Sequence, residues 1–141
     1  MAIVELRFSA LPEHVRTARL VASAVARKAG VDEQLLDEVR LAVGEACSRA
    51  VALHQRGGVD TPVRVELEES EKRFSIEVGD AVPSQAAVAA GDGGAAAEED
   101  EDTGEMGLAV ISGLVDDVEI VGGDGGGTIR MSWPLVGAPV R

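Results

Sequence analysis

The spacing of apolar residues switches between two and about 3.6 along this chain, and the order of the switches leaves few folds open. Val4, Leu6 and Phe8 alternate with Glu5 and Arg7, the pattern of a strand with one buried face. Pro12 then suits a first helical turn, Val15, Ala18, Ala22, Val25 and Ala29 recur at helical spacing, and Gly30 caps that helix. Asp32 can cap a second, longer helix whose apolar face is expected at Leu35, Val39, Ala42, Val43, Ala46, Ala50 and Leu53, before the breakers Gly57 and Gly58. Val63, Val65 and Leu67, then Phe74, Ile76 and Val78, make two alternating runs joined by the polar turn Glu69 to Lys72, a β-hairpin. Leu108, Ile111, Leu114 and Val115 predict a third helix starting near Gly104. Val118 and Ile120, a turn from Gly122 to Gly127 and the alternating Ile129, Met131 and Trp133 predict a second hairpin ended by Pro134. Helices grouped apart from hairpins imply an α/β sandwich, with helices on one face of a mixed, mostly antiparallel sheet. We find no internal repeat and read residues 1–141 as a single domain.

Charge narrows the partners. Against 13 Lys and Arg stand 25 acids, a net charge of −12. That balance disfavours direct nucleic-acid binding and attachment to anionic membranes. From Ala86 to Met106 there are seven acids and no basic residue, in a segment otherwise of Ala and Gly. This stretch supplies −7, leaving −5 for the rest. It is too poor in bulky apolar groups to repay ordering, so residues at about 81–103 are expected to form a long mobile loop. There is no apolar run near the roughly 20 residues of a membrane span and no cationic leader over Met1 to Ser9, so a cytoplasmic location is expected. Cys47 is the single cysteine, which excludes an internal disulfide and cysteine-cluster metal sites; we expect it to be a small buried thiol. His14 and His54 have no partners at ligand spacing and are expected at the surface.

With this order of elements, the second-helix run from Asp37 to Ser48, centred on Val43-Gly44-Glu45-Ala46-Cys47, is distinctive. So are Gly104-Glu105-Met106-Gly107 and Val115-Asp116-Asp117-Val118-Glu119. Together they resemble the anti-sigma factor serine kinases, relatives of the histidine-kinase-like ATPases. The resemblance implies a histidine-kinase-like ATPase fold with ATP and magnesium between the second helix, the end of the first hairpin and a lid over about 81–103. It places the glutamate that activates the phosphate acceptor on Glu45 and the aspartate that receives the adenine amino group on Asp80. The phosphate-binding glycines fall on Gly104 and Gly107, and a residue near the phosphates falls on Thr128. The implied partners are a sigma factor and an anti-anti-sigma factor, and homodimerisation is typical of the family.

Three boxes depart from that pattern. The magnesium-holding asparagine is Arg49 here, and a guanidinium has only donors, so no metal ligand is expected there. Arg49 lies one turn beyond Glu45, where the two can form an i, i+4 ion pair. After Asp80 the two glycines that admit the ligand are missing, and Pro83 removes a donor. Glu105 stands where the family has glycine, putting like charge beside any phosphate. The plainer readings are a turn residue for Asp80, a strand threonine for Thr128 and a flexible hairpin turn for Gly122 to Gly127. The sequence therefore points to an anti-sigma factor that sequesters a sigma factor and is displaced by an anti-anti-sigma protein, with ATP binding weakened or lost. Two alternatives stay open: an active serine kinase acting on the anti-anti-sigma partner, and a non-sigma interaction module on the same scaffold.

Overall fold

In the computed structural model, residues 2–82, 106–115, 117–123 and 125–135 are described. The elements run β1 (Ala2–Phe8), α1 (Pro12–Ala29), α2 (Glu33–Gly57), β2 (Val63–Glu69), β3 (Arg73–Gly79), α3 (Met106–Leu114), β4 (Asp117–Val121) and β5 (Thr128–Pro134). The helix ends follow local chemistry. Pro12 opens α1 without a side-chain cap, and Gly30 closes it at φ 111°. The Asp32 carboxylate accepts from Gln34 N at 3.0 Å to start α2, and Gly58 at φ 64° ends it.

The five strands order as β1-β2-β3-β5-β4, and each neighbouring pair is antiparallel. β5 therefore inserts between β3 and the edge strand β4, which returns the chain to the middle of the sheet. Alternation decides the two faces. Val63, Val65, Leu67, Phe74, Ile76, Val78, Ile129, Met131 and Trp133 are all buried beneath the helices. The intervening Arg64, Glu66, Glu68, Glu77 and Arg130 lie on the open face, partly exposed. α1 and α2 form an antiparallel pair, since Arg40 reaches Ser23 Oγ (3.3 Å) while Arg19 lies across Gly44. A Cβ on Gly44 would stand 2.7 Å from Arg19 Cδ, so the glycine lets the two helices approach.

The second helix buries its expected face through Val39, Ala42, Val43, Ala46 and Ala50 and departs from it only at its two ends. Leu36 is buried while Leu35 is only half-buried, and at the far end His54 replaces Leu53 as the inward residue. His54 is fully buried, which corrects its expected surface position. The reason is local. Between α2 and β2 the Thr61 carbonyl, and after β3 the Ala81 N–H, both turn inward, and an imidazole can satisfy one acceptor and one donor together. Trp133 makes a comparable link, its Nε1 donating to Glu38 Oε1 at 2.8 Å and tying β5 to α2.

Candidate functional site

Glu45 and Arg49 project from successive turns of α2, both half-buried, and Arg49 Nε is fully buried. Two residues from Glu45, Cys47 is buried, as expected, and desolvation pushes its thiol up to about 12. A thiol so held is no nucleophile at neutral pH. His14 is half-buried, its ring 6.1 Å from that of Phe8. Among the described residues no group of His, Cys, Asp and Glu could hold a metal ion.

Register brings Asp80 and Thr128 together. Gly79, the last residue of β3, pairs with Thr128, the first of β5. The pairing continues one step further, with Asp80 N donating to Gly127 O at 3.0 Å. The Asp80 carboxylate is then drawn into its own chain: Oδ1 accepts from Val82 N at 2.9 Å and from Gly127 N at 3.2 Å. Gly126, at φ 131°, presses against the same residue, and a Cβ on it would fall 2.0 Å from Asp80 O. The glycine-rich turn is thus more than a flexible connection at this point, because only glycine fits this angle and this approach.

His54 supports the arrangement from below. Its Nδ1 lies 2.9 Å from Thr61 O, and its Nε2 accepts from Ala81 N at 2.9 Å, which fixes the proton on Nδ1. The first two residues of the expected loop, Ala81 and Val82, are therefore pinned by His54 and Asp80. The rest of that loop, with Gly104 and Glu105, lies outside the described residues. Gly107 is the second residue of α3, which packs on α2. Sequence reading missed His54 and Gly126. A histidine one turn before a helix-ending glycine was the available signal for His54; none marked Gly126 among its neighbours.

These positions bear on ATP and magnesium through their chemistry alone. Arg49 offers no lone pair to a cation, and Asp80 Oδ1 already accepts two backbone N–H groups.

A model of the histidine kinase-like ATPase domain matches residues 8–133. The chain belongs to this family. Its curated relatives include proteins named serine-protein kinase RsbW. It is 35% identical over 80 residues to the serine-protein kinase RsbW of Bacillus pumilus, covering 55% of this chain and 49% of that protein. It is 29% identical over 123 residues to RsbW of Listeria monocytogenes, covering 83% and 78%. Several of the matches span about half the length of the curated relatives. A solved structure of the RsbU and RsbW domains of a Mycobacterium tuberculosis protein superposes with a TM-score of 0.69 at 19% identity, covering 96% of this chain and 32% of that one; at that identity the likeness is one of fold. No helix among the described residues is long and apolar enough to cross a membrane.

Proposed function

We propose that this chain is an anti-sigma factor of the partner-switching type. It sequesters a sigma factor, gives it up when an anti-anti-sigma protein competes for an overlapping surface, and binds ATP weakly or not at all. The observation that carries the weakened ATP binding is the engagement of Asp80 Oδ1 within the chain. Its Oδ1 accepts from Val82 N and Gly127 N, and the turn holding Gly127 lies against it. For an adenine amino group to reach that oxygen, it would have to displace hydrogen bonds already made within the chain, at a cost of about 0.5–1.5 kcal/mol each. Arg49 in the position of the family asparagine supports the same reading. A cytoplasmic location and a homodimer belong to the proposal. The acidic stretch Ala86 to Met106 would speed association with basic surface on a sigma factor by steering.

Calorimetry with ATP and magnesium, beside capture of a sigma factor by the purified protein, tests this. We expect capture without micromolar, magnesium-dependent nucleotide binding. Tight nucleotide binding would overturn the loss of ATP, and failure to retain any sigma factor would overturn the anti-sigma role. The second reading, an active serine kinase, is favoured by the name its relatives carry and by Glu45 on α2. Transfer of phosphate from labelled ATP to the anti-anti-sigma partner, abolished in Glu45→Ala, would establish it.

A further inference from the structure

Strand register sorts the charges of the open sheet face into rows. One row runs Arg7, Arg64, Gly79, Thr128 and Val121. The next runs Glu5, Glu66, Glu77, Arg130 and Glu119. In the second row Arg130 is committed, with Nη1 2.7 Å from Glu77 Oε2 and Nη2 3.6 Å from Glu68 Oε1. Arg73, farther along β3, pairs with Asp117 at 2.9 Å. The first row is different. Arg7 and Arg64 stand directly opposite each other across β1 and β2, an arrangement in which like charges repel. Among the described residues, the acids paired with them are neighbours two residues along their own strands, Glu5 at 3.1 Å and Glu66 at 4.0 Å, in exposed pairs of the kind that contribute little.

A cleft of about 390 Å³ opens beside these arginines. Gly79 forms part of its floor. A Cβ there would stand 3.0 Å from Arg64 Nη2, so the absence of a side chain lets that guanidinium lie across β3 toward β5. The glycine turn, held in place on Asp80, walls the far side, and the side chains of Thr61 and Thr128 complete the lining. Among the described residues, two cations and one acid line the cleft, and the acid, Asp80, already shares its charge with two backbone donors. Among the described residues none of α1, α2 or α3 lines the cleft, which shares Asp80 and Thr128 with the expected nucleotide positions but not Glu45 or Arg49.

We propose that this cleft is a phosphate site on the open face of the sheet, with Arg7 and Arg64 as its cationic pair. The choice of phosphate follows from the geometry. One guanidinium satisfies a planar carboxylate through two parallel hydrogen bonds, whereas two guanidiniums and nearby hydroxyls match a tetrahedral dianion with more acceptor oxygens. The volume exceeds that of a bare phosphate, so the source of the group is either free phosphate or a small phosphate monoester.

Titration of the full chain with inorganic phosphate, and separately with glycerol 3-phosphate, at ionic strength held constant with sodium chloride tests the site. The readout is the amide resonances of Gly79, Gly127 and Thr128. Saturable shifts are expected at these positions. Tighter binding of the ester assigns an esterified ligand and equal binding assigns free phosphate; both support the site. Arg7→Gln and Arg64→Gln should each weaken binding at least tenfold. Gly79→Ala, which keeps both arginines but displaces the Arg64 guanidinium, should weaken it several-fold. Arg27→Gln on α1, with the same change in net charge, should leave it unaltered. Shifts that do not saturate, or that survive in the double variant of Arg7 and Arg64, would overturn the proposal.

Discussion

Replacing Gly126 by alanine tests whether the glycine turn is locked onto Asp80. Two costs add. The first is backbone strain, because φ 131° is a region that residues with a Cβ rarely adopt, at about 1–3 kcal/mol. The second is steric. The new Cβ would fall 2.0 Å from Asp80 O, 2.9 Å from its carbonyl carbon and 3.0 Å from Ala81 Cα, all of them backbone atoms. Backbone on both sides cannot yield as a flexible side chain would, so the turn must lift. The Asp80 N to Gly127 O and Gly127 N to Asp80 Oδ1 hydrogen bonds are then lost, at about 0.5–1.5 kcal/mol each. The sum is about 2–6 kcal/mol, a large share of the roughly 5–15 kcal/mol of a typical domain. Gly125→Ala is the matched control, since its Cβ would meet nothing within 4 Å, and it should change stability by less than about 0.5 kcal/mol. Urea unfolding followed through the fluorescence of the single, buried Trp133 measures both. If the two variants differ by less than about 0.5 kcal/mol, the locked turn is refuted.

Three further outcomes are expected. His54→Leu leaves the Thr61 carbonyl and the Ala81 N–H without their imidazole partner, and should cost about 2–5 kcal/mol in the same assay; a near-neutral result would mean that His54 does not bridge them. Trp133→Phe keeps a ring in the core but removes the Nε1 bond to Glu38, and a loss of about 1–3 kcal/mol should follow, smaller when Glu38→Ala has already removed the acceptor. Burial raises the Cys47 thiol from an ordinary 9.0 to about 12, so the folded chain holds this proton after the unfolded chain has released it. Stability from this group is therefore complete below about pH 9 and falls as pH rises from there toward 12, by up to about 1.4 kcal/mol per pH unit. Stability curves of the parent and Cys47→Ala should diverge only across that window, and parallel curves would count against it.

Much of the fold was legible because its signals are local. The alternation through Val63 to Leu67 and Phe74 to Val78, the caps at Asp32 and Gly58, and the breaker glycines each act within a few residues, and each element formed where those signals lie. Legibility fell at the ends of elements. Leu35 and Leu53 share the apolar period of α2, yet at its ends the helix buries Leu36 and His54 more fully, because what a helix end buries is set by what packs against it. At the candidate site, Asp80 and Thr128 could be named separately from the sequence. That Asp80 Oδ1 is engaged by Gly127 could not, since the contact joins residues 47 apart through the register of β3 and β5.

The sequence by itself determined the kinds and order of the elements, the family, and the residues that depart from the family's boxes, because periodicity, caps and side-chain chemistry are properties of short stretches. Only the tertiary structure decided which of those residues meet. It set Arg7 opposite Arg64, laid Arg64 over Gly79, and placed the His54 ring between two strand ends. The physical reason is that each such pair depends on strand register and on how helices sit on the sheet. A shift of one residue in register would turn the strand side chains Arg7 and Arg64 to the other face and carry Thr61 and Ala81 away from His54.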